Sequence, residues 1–405
     1  MSGAPLLALE DAQARMLEGL RPVEDCETLP ISEALGRVLA VTVTSPIAVP
    51  GFDNSAMDGY AFASSEAAGR RTLTVACRAA AGDPPAMLPG GCACRIFTGA
   101  PLPRGADTVV TQEACQRQGD EIVLPATWSA GSHVRHKGED IAQGAEILTA
   151  GQRLRPQDIG VLAACGHTHV VVRRRLRAVL LTTGDELREG GAALSPGQIY
   201  DSNRPMLQAL LTQLGVTVTT APALPDEYEA TRTGLREAAR GADILITTGG
   251  VSVGDEDHVR KALADEGALT LWRVGIKPGK PVAFGHIGRC QFLGLPGNPV
   301  SGFVTFALFA RPLIAALAGE TPRATPVLMA RAAFERTRAD SRREFLRGRL
   351  RVAPDGVPEV ESCRQQSSGA LSSTVWADGL IDIDAGQTVE EGQWVRFLPF
   401  AGLFG

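Results

Sequence analysis

A short apolar strand runs directly into two glycines, and this junction limits how the middle of the chain can fold. Residues 242–246 are a run of the kind that is buried on both faces of a parallel sheet. Gly249 and Gly250 lack a β-carbon, so the chain can turn sharply and present amide N–H groups to an anion, while Ser252 adds a hydroxyl donor. Asp257 follows at the start of a predicted helix, where a carboxylate holds a divalent ion or handles a proton. The pattern predicts a phosphate-binding turn, with a plain structural turn as the alternative.

Around this turn, strands and helices alternate in a regular order. Strands are predicted at residues 178–181, 216–220 and 244–247, with helical segments between them. Such alternation specifies a parallel sheet covered by helices, and open sheets of this kind bind ligands at the carboxyl ends of their strands. We therefore predict a three-layer α/β/α domain with a parallel-rich sheet over residues 175–322 and a ligand at the glycine turn.

The rest of the chain is predicted to form three further domains. Segments 1–44 and 142–174 share helical periodicity, with helices expected at 6–20, 32–39 and 147–166, and we assign them to one mixed domain. The turn-rich residues 45–141 form a β-rich domain inserted between them. After residue 322 the alternation stops, and 323–405 is typical of a small β domain.

Composition excludes several classes of protein. The chain has 405 residues, 44% of them apolar, and a net charge of -5, which argues against general nucleic-acid binding. The most apolar segment, Phe303–Ala318, is interrupted by Arg311 and Pro312 and is short for a bilayer span, and the N-terminus has no signal pattern. Eight cysteines without a C-x-x-C pair indicate reduced thiols, and the histidines lack partners for a zinc site. We expect a cytoplasmic protein.

Two acidic segments follow other strands of the predicted sheet. Thr183 precedes Asp185 and Glu186 at the end of the first strand, and Asp226 follows the second strand. These acids could bind a metal or sugar hydroxyls. Carboxylates that satisfy the amides of a helix N-terminus are the alternative.

A lysine pair and a helix start complete the polar segments of the α/β region. Lys277 and Lys280 lie in a segment stiffened by prolines, including Pro281, which lowers the cost of holding two ammonium groups at one oxyanion. Asn298 is placed to cap the apolar helix that follows, which leaves N–H groups and Ser301 for an anion.

The inserted β domain carries a polar segment of its own, residues 50–61. A structural turn needs only one Asp-Asn or Asp-Gly pair, whereas this segment contains Asp53, Asp58, an asparagine and a serine. The surplus of polar groups favours a site on a loop.

Taken together, these segments resemble the molybdopterin molybdenumtransferase family, which includes bacterial MoeA and the E domain of gephyrin. The resemblance covers nearly the whole chain, and its motifs occur in the family's order. They are Phe52 to Tyr60, Thr98 to Pro101, Gly138 to Ile141, Thr183 to Leu187, Gly249 to Gly254 with Asp257, Lys277 to Pro281, and Gly294 to Ser301.

This resemblance implies an enzyme that inserts molybdate into adenylylated molybdopterin and releases AMP, with Mg²⁺ or a similar divalent ion. It also implies an elongated homodimer, with a mixed dimerisation domain, a molybdopterin-binding α/β domain like the molybdopterin adenylyltransferase, and a C-terminal β-barrel-like domain. The inserted β domain of the partner chain would overhang the cleft. Further protein partners would be the adenylyltransferase and molybdoenzyme maturation factors, with no nucleic acid and no membrane.

The resemblance also assigns roles to individual residues. Asp226 and Asp257 become metal ligands and, with Asp58, catalytic residues. The phosphate cradle consists of Gly249, Gly250, Ser252 and Gly254. Further substrate ligands are Asp53, Thr98, Asp140, Thr183, Asp185, Glu186 and Asn298. The molybdate site consists of Lys277, Lys280, Pro281 and Ser301 with Arg342, Arg343 or Arg347 and Ser367 or Ser368, of which we take Arg347 and Ser367.

The sequence leaves two other functions open. The α/β domain alone would fit a molybdopterin adenylyltransferase, against which the three additional domains argue. A non-catalytic scaffold, as gephyrin is at synapses, would be expected to lose the acids, yet Asp58, Asp226 and Asp257 are present.

Overall fold

The structure of the chain is a computed structural model, which describes residues 6–221, 227–250 and 258–404. It divides into two compact units. The larger contains Met1–Glu27, Gly36–Ala40 and Val172–Gly405, and the smaller contains Thr28–Leu35 and Val41–Val171. The finer division into four domains stays a prediction.

A six-stranded sheet forms the centre of the larger unit. In spatial order its strands are Thr217–Thr220, Arg177–Thr182, Ile244–Thr248, Cys290–Leu295, Pro281–Ile287 and Ala268–Arg273. The first four are parallel, and Pro281–Ile287 runs antiparallel to both of its neighbours, Cys290–Leu295 and Ala268–Arg273. Thr182 lies opposite Thr248, which lies opposite Leu295, so these three strands end at the same level. The sheet thus presents three strand-end loops side by side.

Helices cover both faces of this sheet, because alternate strand residues are apolar on each side. Ile244 and Ile246 belong to one core, with helices Leu9–Leu17 and Asn203–Gln213 and the long helix Pro299–Leu317. Leu245 belongs to the opposite core, with helices Tyr228–Ala238 and His258–Glu266. The predicted α/β/α arrangement is confirmed.

The long helix runs from Pro299 to Leu317. It consists of α-helices Pro299–Thr305 and Arg311–Leu317 joined by a π-helical turn at Phe306–Ala310. By length and composition its 19 residues could cross a membrane, but 78% of its apolar window is buried inside the protein. It packs as a core helix.

The C-terminal part of the larger unit is a closed five-stranded barrel. Around the ring, each strand pairs with the next, and the last pairs with the first. Their order is Arg343–Val352, Pro358–Ser362, Leu328–Ala332, Trp394–Pro399 and Gly379–Ile383. Buried Val360, Ile381 and Phe397 fill it. This confirms the predicted β domain. The remaining elements of the larger unit are strands Leu187–Arg188, Ile199–Tyr200 and Ile276–Lys277 and helices Ser372–Trp376 and Phe400–Phe404.

The smaller unit is built on a mixed six-stranded sheet, as predicted for a β-rich insertion. Its strands, in spatial order, are Thr108–Thr111, Gly59–Phe62, Cys92–Ile96, Thr72–Ala79, Glu121–Val123 and Gln116–Gln118. Two short pairs, Val43–Thr44 with Glu146–Leu148 and Asn54–Ser55 with Val134–Arg135, accompany it. Its helices are Ser64–Ala67 and Pro156–Ala164, with single 3-10 turns at Ile31–Glu33 and Gln112–Ala114. Strands Cys26–Pro30 and His169–Arg173 run from one unit into the other.

Two sequence expectations about the fold were wrong. The predicted helix at 32–39 is only the single turn Ile31–Glu33, because Gly36 adopts a φ of 73° that a helix cannot contain. The cysteines are not all thiols, since Cys77 and Cys94 are bonded to each other across adjacent parallel strands. That contact depends on strand register, which cysteine spacing does not reveal.

Candidate active site

A cavity of about 1040 Å³ lies at the carboxyl edge of the α/β sheet. The loops that follow three parallel strands line it, and the lysine segment joins them because its antiparallel strand starts at the same edge. The barrel adds Arg342 and the segment 366–368. Predicted site residues that line the cavity are Thr183, Glu186, Gly249, Gly250, Lys277, Lys280, Pro281, Asn298, Ser301 and Ser367.

The glycine turn has a shape that other residues would not tolerate. Gly249 and Gly250 have φ angles of 85° and 63°. A β-carbon on Gly249 would lie 2.9 Å from Thr183 Oγ1, and one on Gly250 would lie 2.7 Å from Val259 Cγ2. The Gly249 N–H donates to the carbonyl of Leu295 at 3.1 Å, so this amide holds the turn against the next strand and is not directed at a ligand.

The acidic loop after the first strand contributes one carboxylate to the cavity. Glu186 lines it, whereas Asp185 does not, and the Asp185 carbonyl accepts a hydrogen bond from Arg188 at 2.9 Å. The Thr183 N–H donates to the Thr248 carbonyl at 3.3 Å, which joins this loop to the glycine turn.

Asn203 is a cavity residue that sequence reasoning missed. Its Nδ2 donates to Thr248 Oγ1 at 2.9 Å and to the Gly297 carbonyl at 2.6 Å. The side chain is buried, so it fastens two strand-end loops to each other. The signal in the sequence is only an asparagine at a helix start, which is common without any site.

The two predicted lysines have different surroundings. Lys277 Nζ contacts Asp340 Oδ2 at 2.8 Å and Glu344 Oε1 at 3.0 Å, and the hydrogen bond to Asp340 raises the pKa of Lys277. Lys280 has no ion-pair partner within the described part of the chain. Lys280 is therefore the lysine whose charge is available to an anion in the cavity.

Of the three candidate arginines, Arg342 lines the cavity. Arg343 pairs with Asp382 at 2.6 Å. Arg347 is buried beneath the serine segment, where its guanidinium donates to Ser373 Oγ at 3.0 Å and to the Ser367 carbonyl at 3.2 Å. Burial lowers the pKa of Arg347 to about 10. Arg347 supports the cavity wall from behind.

The start of the long helix closes another side of the cavity. Asn298 is at the N-cap position but its side chain makes no capping hydrogen bond, so the predicted side-chain cap is wrong. The Val300 N–H instead donates to the Ser368 carbonyl at 3.0 Å, which fastens the serine segment to the helix. Ser301 is buried at the cavity wall.

The polar segments of the smaller unit come together with one another. Asp58 Oδ1 accepts hydrogen bonds from both the N–H and the hydroxyl of Thr98 at 2.8 Å, and the Thr98 N–H above all lowers the pKa of Asp58. Asp53 Oδ1 accepts from the Lys137 N–H at 2.7 Å. The exposed Asp140 follows the same loop and donates its N–H to the Val49 carbonyl at 3.2 Å.

Four predicted site residues lie outside the described residues: Asp226, Ser252, Gly254 and Asp257. In the described ranges, no group of three or more His, Cys, Asp or Glu side chains is arranged to hold a metal ion. The described residues alone therefore do not form a metal site, and the metal assignment rests on Asp226 and Asp257.

Fold and cavity together define a class: a multidomain protein whose α/β domain has a cavity at its strand ends, lined by two lysines and an arginine. Comparison with known families narrows this class. Residues 7–166 match the MoeA N-terminal region (domains I and II), 179–316 match a probable molybdopterin binding domain, and 329–400 match the MoeA C-terminal region (domain IV). The chain belongs to the molybdopterin molybdenumtransferase family and is a transferase.

Relatives and solved structures agree with this assignment. The molybdopterin molybdenumtransferase of Haemophilus influenzae is 38% identical over 99% of this chain and 100% of its own length. That of Nostoc sp. is 36% identical over 90% of this chain and 86% of its own. The crystal structure of the molybdopterin biosynthesis MoeA protein from Pyrococcus horikoshii, 28% identical, covers 98% of this chain and 100% of that chain with a TM-score of 0.83.

Proposed function

We propose that this enzyme inserts molybdate into adenylylated molybdopterin and releases AMP, and that the cavity at the sheet edge is where this happens. The observation that carries the proposal is the meeting of Lys280 and Arg342 with the strand-end loops in one cavity. A tetrahedral dianion needs cationic donors at fixed positions, and a phosphorylated substrate needs a turn that lets the backbone approach it.

The described residues divide this work. The tight turn at Gly249 and Gly250 gives the substrate phosphate room against the strand end, since any β-carbon there would meet Thr183 or Val259. Lys280 and Arg342 supply positive charge for molybdate, with serine hydroxyls of segment 367–368 as additional donors. Fixed donors of this kind stabilise charge without reorganising during the reaction.

We include a requirement for Mg²⁺ or a similar divalent ion in the proposal. Such an ion would neutralise the charge of the phosphoanhydride between molybdopterin and AMP. Its proposed ligands are Asp226 and Asp257, which lie outside the described residues. Among the described residues, Glu186 is the carboxylate that lines the cavity.

At the level of the assembly we propose a cytoplasmic homodimer. The adenylyltransferase that supplies the substrate and the maturation factors that receive the product would be its protein partners. The family supports these partners, because its reaction consumes one reactive intermediate and produces another.

The test separates this reaction from that of an adenylyltransferase. Purified protein is given preformed adenylylated molybdopterin with and without molybdate, and separately molybdopterin with ATP. We expect AMP release only when molybdate is present, its loss on chelation of divalent ions, and no ATP consumption. ATP consumption without molybdate-dependent AMP release would contradict the proposal and favour the adenylyltransferase. Binding of molybdopterin with neither reaction would favour the scaffold.

A further inference from the structure

Asp340 contacts two of the cations at the cavity wall at once. Its Oδ2 lies 2.8 Å from Lys277 Nζ, and its Oδ1 accepts hydrogen bonds from the Arg342 N–H at 3.0 Å and from Arg342 Nε at 3.1 Å. Lys277 and Arg342 both line the cavity, whereas Asp340 is not one of the lining residues. The acid is thus placed behind the two cations that face the ligand space.

Asp340 is itself held rigidly. Its side chain is 18% exposed, and its carbonyl accepts the Gly386 N–H at 2.7 Å. Burial raises the pKa of the Asp340 carboxyl, but hydrogen bonds from Lys277 and Arg342 outweigh burial and hold the pKa well below its usual range. The carboxylate is therefore charged whenever the enzyme works near neutral pH.

The second acid at Lys277 is anchored in the same way. Glu344 is 1% exposed and accepts two hydrogen bonds from Arg336 at 2.6 Å. With Asp340 and Glu344 each taking one N–H, the ammonium of Lys277 has one of its three donors left. Two of the five side-chain N–H donors of Arg342 point to Asp340, which leaves three.

We propose that Asp340 is a positioning residue of the oxyanion site: it holds the remaining N–H donors of Lys277 and Arg342 in fixed directions toward one tetrahedral dianion. This inference rests on the proposed function, because the dianion is molybdate. A donor that is already oriented loses less conformational entropy when the anion binds. Lys280 supplies the charge that no described acid offsets.

A positioning role and a purely electrostatic role of Asp340 predict opposite effects of Asp340→Asn on the affinity for molybdate. Removal of a negative charge makes the cavity more positive, so a charge effect alone predicts tighter binding of molybdate. Loss of positioning predicts weaker binding, because Lys277 and Arg342 would no longer share one acceptor. The sign of the change therefore decides between them.

The experiment is calorimetric titration of the full chain with molybdate alone. We expect Asp340→Asn to raise the Kd for molybdate about tenfold. Asp355→Asn is the matched control, because Asp355 also pairs with an arginine, Arg331 at 2.8 Å, and accepts the N–H two residues on, from Val357 at 3.2 Å, outside the cavity. Its Kd should stay within about twofold of wild type.

Steady-state assays give a second readout. Asp340→Asn should raise the KM for molybdate while leaving the KM for adenylylated molybdopterin unchanged, which a general loss of structure would not do. If that variant does not fold, Asp340→Glu keeps the charge and displaces the carboxylate, and the same weakening is expected. Molybdate binding as tight as wild type, or tighter, in the folded variant would overturn the proposal. Failure of wild type to bind molybdate would instead overturn the proposed function.

Discussion

At the residue scale, the two lysines of the cavity are predicted to respond differently to removal. Lys280→Ala should raise the molybdate concentration needed for half-maximal AMP release about tenfold with little change in stability, because Lys280 has no ion pair among the described residues. Lys277→Ala should have the same effect on molybdate and also lower the free energy of unfolding by about 1–2 kcal/mol, because Asp340 and Glu344 lose a partner.

Two measurements on the same preparations check these predictions. AMP release is measured as a function of molybdate concentration, and chemical denaturation gives the free energy of unfolding. Affinity for adenylylated molybdopterin should hardly change in either variant. Equal weakening of both ligands would show that the lysines serve a shared phosphate.

At the residue scale, the sequence identified some residues of the site and not others. The proline-braced lysines were found because they are close in the chain. Asp340 was not, since it reaches Lys277 only through tertiary contact across 63 positions. Which of Arg342, Arg343 and Arg347 lines the cavity depends on where the barrel strand begins, and the sequence did not show this. The strand begins at Arg343, so Arg342 precedes it, and Arg347 is buried within it.

At the element scale, the glycine turn is predicted to be more sensitive than an ordinary turn. Gly250→Ala should lower the free energy of unfolding by about 2–4 kcal/mol and AMP release about 100-fold, because the φ of 63° and the contact with Val259 both oppose a β-carbon. Gly288→Ala is the control. It has a similar φ of 57°, in the hairpin turn between Ile287 and Cys290, with open space around the added carbon.

Gly288→Ala should cost about 1 kcal/mol of stability and leave AMP release unchanged. Thermal melts and single-turnover assays of the two variants measure these effects. A Gly250→Ala enzyme with wild-type turnover would show that the turn does not shape the substrate site.

Elements with strong local signals were predicted well. The helix predicted to follow Asp257 is present and ends at Glu266, and the strand predicted at 244–247 differs by one residue. The helix expected at 32–39 failed because Gly36 interrupts a weak pattern. The loops joined by Asn203 could not be anticipated, since the sheet register that brings Thr248 and Gly297 together is set by long-range pairing.

At the scale of the whole molecule, we predict that the active site is shared between two chains. Asp58 lies among the converging polar segments of the smaller unit, which carry no glycine turn like that of the cavity in the larger unit. A chain with Asp58→Ala and a chain with Asp257→Ala should each be nearly inactive. Mixed dimers would contain one intact cleft, and random exchange puts about half of all dimers in that state, so about one quarter of wild-type activity should return.

Subunit exchange is verified with differently tagged chains before AMP release is measured. Refolded or co-expressed wild-type dimers with the same tags serve as the control. Exchange without any recovery would place Asp58 and Asp257 in the same chain's site.

The central claim is that molybdate binds in the sheet-edge cavity, between the lysine segment and the barrel. The most direct measurement is a crystal structure of the protein soaked with tungstate, a heavier anion of the same shape, and AMP, with anomalous scattering used to locate the metal atom. We predict one strong peak beside Lys280, Arg342 and the segment 367–368, with AMP phosphate at the turn of Gly249 and Gly250. An anomalous peak away from this cavity, with the cavity itself empty at saturating tungstate, would contradict the account.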